Sequence, residues 1–88
     1  MIKRIQLADC PNCGERPTVY TWKMRDGSSW HHIGCMTGEC QVHTALSGSL
    51  AYAIRAWNSG QSLRRFDGGY YDYDASKRRQ MREMVVDV

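Results

Sequence analysis

Four cysteines set the tightest constraint on how this chain can fold. They fall as two close pairs, Cys10-Pro-Asn-Cys13 and Cys35-Met-Thr-Gly-Glu-Cys40, separated by 21 residues. The pattern C-x2-C-x21-C-x4-C is the layout of a zinc ribbon. Each pair forms a tight turn whose thiolates converge, and two such turns brought face to face by intervening strands complete a tetrahedral zinc site. Gly14, directly after Cys13, can take the positive φ that turns backbone N–H groups toward a thiolate, and Gly38 can do the same in the wider second turn. A disulfide pair is disfavoured because no export signal develops after Lys3 and Arg4, and a reducing cytosol keeps thiols reduced. A redox Cys-x-x-Cys would need a strand-then-helix context, whereas Pro17 and the strand-like run after Gly14 point to a hairpin.

His31, His32 and His43 lie near the second pair, and any of them could replace a thiolate in a Cys3His site. Four cysteines already close a tetrahedron, so the histidines read as strand residues and the expected ligands are Cys10, Cys13, Cys35 and Cys40, holding one structural zinc. A closed site leaves no open position for a catalytic water.

Size makes such a staple useful. With 88 residues, of which 42% are hydrophobic, and a mean hydropathy of −0.58, the chain has one small core at most. No run approaches the roughly 20 apolar residues of a membrane span, so a cytoplasmic location is expected. The formal charge of +3 counts the cysteines as neutral. Four thiolates add four negative charges and zinc returns two, which leaves +1 and moves the weight from nucleic acid toward a protein partner.

Residues 17–25 alternate as a strand, with Val19, Thr21 and Lys23 on one face and Tyr20, Trp22 and Met24 on the other. Asp26-Gly27 turns the chain, and Ser29 to Cys35 returns as the partner strand, which carries Cys35 back toward Cys10 and Cys13. Gln41 to Ala45 can add a third strand. A helix over 48–58 follows, capped by Ser47 or Ser49, with Leu50, Ala53, Ile54 and Trp57 as its apolar stripe and Asn58-Ser59-Gly60 as its end. Residues 61–74 lack a periodic apolar pattern and read as a linker. A second helix is expected over 75–88, its apolar side carrying Met81, Met84, Val85 and Val88, and docked on the ribbon, on a sister chain as a homodimer, or on a partner. The fold class expected is a small zinc-stabilised α+β ribbon, residues 1–60, with a packed helix and a C-terminal helical tail.

Cys10-Pro-Asn-Cys13-Gly14, a second cysteine turn about two dozen residues on, and Ala53-Ile54-Arg55-Ala56-Trp57-Asn58 together resemble the Lar-like restriction alleviation proteins, small zinc-ribbon proteins of phages and prophages. The likeness covers about residues 7 to 60. It implies one structural zinc on both cysteine pairs, a phage or prophage origin, hence the host cytoplasm, and action against host type I restriction through the host restriction-modification enzyme. The second turn is wider than the two-residue spacing usual in that family, and the chain from Gln61 onward has no counterpart in it.

The expected function is therefore an interaction protein that binds and modulates a host enzyme, with the Tyr-, Arg- and Met-rich tail as its docking segment. The alternative is a ribbon acting on DNA or RNA directly, for example in transcription regulation. Tyr20, Trp22, Lys23, Arg25 and Trp30 on the hairpin, and Lys77, Arg78, Arg79 and Arg82 on the last helix, are its candidate contacts. An enzyme is not expected: the sequence shows no nucleophile-base grouping with a recognisable turn, no phosphate-cradling loop and no carboxylate pair in a metal-like context.

Overall fold

The computed structural model describes residues 2–35, 40–65, 67–74 and 78–87. Among them, four strands and one helix run in the order β1 (Ile2–Ala8), β2 (Thr18–Lys23), β3 (Ser29–Gly34), α1 (Leu50–Ser59) and β4 (Met81–Asp87). The architecture is α+β, with β2 paired to β3 and β1 paired to β4, both antiparallel.

The β2–β3 hairpin follows from its alternation. Its register sets Tyr20 opposite His32 and Trp22 opposite Trp30 on one face, and Val19 opposite Ile33 and Thr21 opposite His31 on the other. The second face is the inner one, since Ile33 and His31 are buried. Gly27, with φ of 89°, makes the turn, and the Asp26 carboxylate accepts hydrogen bonds from the Ser28 N–H and hydroxyl.

The segment expected as a third strand, residues 41–45, joins β3 through isolated bridges. The Cys35 N–H donates to the Val42 carbonyl at 2.8 Å, and the Thr44 N–H donates to that of Ile33 at 2.8 Å. Gly34 is required at this crossing, because a Cβ there would lie 2.9 Å from the Cβ of His43. His43 then exchanges backbone hydrogen bonds with Arg64, and Arg64 is bridged to Tyr70. Residues 61–74 are accordingly not a loose linker: Leu63 is fully buried, and its carbonyl accepts from the Tyr71 N–H at 2.8 Å. The pairing partners are distant in sequence, which is why no local periodicity announces them.

Helix α1 starts at Ser49, whose hydroxyl accepts from the Tyr52 N–H, and ends at Gly60 in the left-handed region with φ of 75°. Ala53 and Trp57 are its buried residues, and they pack with Leu7, Ile33, Cys35, Val42 and Leu63 into one core.

The helix expected over 75–88 is instead strand β4, with residues 75–77 and 88 outside the described set. Met81, Met84 and Val85 fit a helical stripe, but the same seven residues also alternate, with Arg82, Met84 and Val86 half-buried and Met81, Glu83, Val85 and Asp87 exposed. The adjacent β-branched Val85-Val86 favours the extended form. The decision lies with β1, whose Ile5 and Leu7 line up against Met84 and Arg82 and supply a full ladder from Ile2↔Asp87 to Ala8↔Met81. Among the described residues this end therefore holds a strand where a helix is expected to carry a homodimer. No helix among the described residues is long and apolar enough to cross a membrane.

Candidate metal centre and aromatic face

The two cysteine turns meet at the end of the hairpin. In the first, the Gly14 N–H donates to the Cys10 carbonyl at 2.9 Å, the Cys10 N–H donates to the Glu15 carbonyl at 2.8 Å, and Gly14 takes φ of 78°. This curl aims the Asn12 and Cys13 backbone at the Cys10 sulfur and the Glu15 backbone at that of Cys13. In the second turn, Cys35 leaves β3 and Cys40 receives hydrogen bonds from the Val42 backbone and from the Asn12 amide, the latter at 3.2 Å. Residues 36–39, Gly38 among them, are outside the described set.

All four Sγ atoms lie within 4.8 Å of one another, with Cys10 to Cys40 at 3.5 Å and Cys13 to Cys35 at 3.3 Å. A tetrahedral ion with metal–sulfur bonds of about 2.3 Å requires sulfur–sulfur edges of about 3.8 Å, so the cluster needs only a small expansion to accept one. Cys10 and Cys35 are buried, Cys40 is half-buried and Cys13 is exposed. Burial pushes the Cys10 thiol far up, with its own turn's backbone working against this. Burial likewise pushes Cys13 up to about 11, against the Glu15 backbone hydrogen bond and together with the Cys35 thiol. At Cys40 burial also acts upward, but the Asn12 amide and the Val42 backbone outweigh it and bring the thiol below its ordinary value. Burial thus holds protons on Cys10 and Cys13 that a divalent cation would displace.

The cysteines are the one cluster of metal-ligating residues among the described residues. The histidines have other partners. His31 Nδ1 pairs with the Thr21 hydroxyl at 3.0 Å on the inner face, and His43 Nδ1 lies 2.9 Å from the Gln41 carbonyl. His32 sits among rings, its pKa lowered by burial and then by the neighbouring His43.

The remaining sequence candidates divide sharply. Tyr20, Trp22 and Trp30 stay on the solvent face of the hairpin, with Trp22 45% and Trp30 38% exposed, and Lys23 and Arg25 are exposed at its turn end. The tail cations do not form a basic helix face. Arg79 donates from Nε to the Asp9 carbonyl at 2.7 Å and from Nη1 to the Trp57 carbonyl at 2.8 Å, and Arg82 pairs with the Asp9 carboxylate at 2.8 Å. These two side chains are committed to the fold, Arg78 is exposed, and Lys77 lies outside the described residues.

Sequence reasoning missed the other half of the exposed face. His32 packs against both Tyr20 and Trp22, tilted at 33° and 34° with ring distances of 4.8 and 5.0 Å, His43 lies 5.9 Å beyond it, and Arg64 stands over the Tyr70 ring at 5.1 Å. Only the pairing of residues 43, 64 and 70 brings these groups into one row, and no spacing in the chain signals that. A shallow open groove runs along the row between Trp22, Met24, His43, Leu46 and Arg64. No protein family, curated protein or solved structure matches this chain.

Proposed function

We propose that the chain is a zinc-ribbon recognition module without catalytic chemistry: one zinc ion on Cys10, Cys13, Cys35 and Cys40 staples the fold, and the solvent face of the sheet is the working surface. The observation that carries this is the placement of Tyr20, Trp22 and Trp30 on the side of the hairpin that the core does not use. Large rings gathered on an open face add nothing to a core and mark an interaction site. Zinc is the preferred ion because four thiolates in a closed tetrahedron suit it best.

The resemblance to Lar-like proteins gives this module a setting, a phage or prophage protein that engages a host restriction-modification enzyme and relieves restriction. In this reading the tail contributes Arg64 and Tyr70 to the working surface, while Arg79 and Arg82 hold the fold together at Asp9 and Trp57. The test is capture of partners from nuclease-treated host lysate on tagged zinc-loaded protein, with a Tyr20→Ala/Trp22→Ala variant of equal zinc content as control. A host protein retained by the native chain and lost from the variant supports the reading. Equal retention by both refutes the working surface, and retention by neither refutes a host protein as its partner.

A further inference from the structure

We infer that the row Tyr20, Trp22, His32, His43, Arg64 and Tyr70 is a stacking platform for an unpaired nucleic-acid strand. The inference rests on the reading above, that this face is the working surface, and assigns its ligand class.

The row crosses five chain passes: β2, β3, and the segments around His43, Arg64 and Tyr70. Four inter-strand gaps of about 4.8 Å give a track of about 19 Å, room for about three or four unstacked nucleotides. Along it the groups alternate in the way a single strand needs. Tyr20 and Trp22 offer nearly parallel ring planes, 20° apart, His32 continues them, and Arg64 brings a cation beside the exposed ring of Tyr70. Every base has a π-face, so rings of this kind bind without reading sequence, while cations follow the backbone.

Charge complementarity favours this ligand over a peptide. The five passes hold Lys23, Arg25, Arg64 and Arg65 against Asp26, Asp67 and Asp72. Asp26 is engaged by Ser28 and Asp67 by Arg65 at 3.2 Å, which leaves the exposed Asp72 as the one carboxylate of the three set against the cations that follow. Lys23, Arg25 and Arg64 make no ion pair among the described residues and can meet phosphates. In the β1–β4 half Asp9 pairs with Arg82, and Glu83 lies 3.6 Å from Arg4. The face is also open where a protein hot spot would fill a closed, desolvated pocket.

The experiment uses zinc-loaded full-length protein and fluorescein-labelled oligothymidine and oligouridine of about ten nucleotides, with a blunt duplex as comparison. Expected results are a rise in anisotropy with the single strands, quenching of tryptophan emission, weaker binding to the duplex, and affinity that falls as salt rises with a slope near −0.7 per phosphate contacted. Trp22→Ala should lower single-strand affinity by about 5- to 150-fold. Tyr70→Ala, at a position 67% exposed and outside the core, should weaken binding with zinc content and unfolding midpoint unchanged. Arg64→Gln should flatten the salt slope by about one contact.

Single-strand binding that survives both ring substitutions overturns the platform, and so does tighter binding to duplex. If oligonucleotides do not bind while a host protein is still captured from nuclease-treated lysate through Tyr20 and Trp22, the ligand class is wrong and the working surface stands. If neither binds, both fail.

Discussion

Arg79 lies over Trp57 while holding the end of its helix: the guanidinium carbon is 5.3 Å from the indole centroid, and Nη1 donates to the Trp57 carbonyl at 2.8 Å and to that of Asn58 at 3.2 Å. The last carbonyls of a helix have no partner within it, so a cation from the C-terminal arm serves as cap and lid together. The helix end is also bound to β1, since the Trp57 Nε1–H donates to the Ala8 carbonyl and the Asn58 amide bridges the Ala8 N–H and the Gln6 carbonyl.

Arg79→Ala should therefore destabilise the zinc-loaded protein by about 2 to 4 kcal/mol, because charge-assisted hydrogen bonds and stacking are lost at a half-buried site. Arg79→Lys should recover less than half of this, since an ammonium cannot reproduce the planar fork. Denaturant midpoints at fixed zinc concentration measure both. A loss below about 0.5 kcal/mol, the level of an ordinary surface substitution, would show that Arg79 is not structural.

Deletion of residues 78–88 should unfold the chain rather than trim it. The deletion removes the only ladder partner of β1 among the described residues, together with Arg79 and the Arg82–Asp9 pair. Loss of tertiary near-UV circular dichroism in the truncated protein checks this, and an intact ribbon would refute it.

Metal removal tests the cysteine cluster. Chelation should abolish the folded signal, and titration should return one zinc per chain, because binding and folding are coupled in domains of this size. Thiols of the unfolded metal-free chain are mostly protonated at neutral pH, so loading should release about four protons. The sign follows: affinity falls as pH falls, because protons compete for the same sulfurs. Calorimetry in buffers of different ionisation enthalpy counts them. Cys35→Ser should lose zinc, whereas His43→Ala should retain it; the reverse would place a histidine in the site.

Gly60 faces two constraints at once. Its φ of 75° strains any other residue, and a Cβ there would come within 2.5 Å of the Tyr73 ring. Gly27, at φ of 89°, has nothing within 4 Å of such an atom. Gly27→Ala should cost about 1 to 2 kcal/mol from backbone strain alone, and Gly60→Ala distinctly more. Adding Tyr73→Ala to Gly60→Ala should recover part of the excess, as read from thermal midpoints. Equal costs for the two glycines would show that the ring moves away freely.

The local elements are legible in the chain because their signals lie within a few residues. The β2–β3 alternation, the Asp26-Gly27 turn and the helix between Ser49 and Gly60 are each specified by chemistry a few positions apart. The cysteine spacing likewise anticipated four sulfurs in one place, because two tight turns on one hairpin have few ways to converge. The pairings between distant segments are settled only once the chain has folded. Met81 to Asp87 satisfies helical and strand patterns equally, and the open edge of β1, more than seventy residues away, selects the strand. Arg79 and Arg82 looked like solvent-facing cations until Asp9 and the end of α1 supplied acceptors. Arg64 and Tyr70 carry no periodic signal, and the bridges from His43 to Arg64 and from Arg64 to Tyr70 set them in line with Tyr20 and Trp22. The physical reason is the same each time: an exposed strand edge or an orphaned carbonyl acts on whichever segment folding brings to it, and sequence spacing carries no record of that encounter.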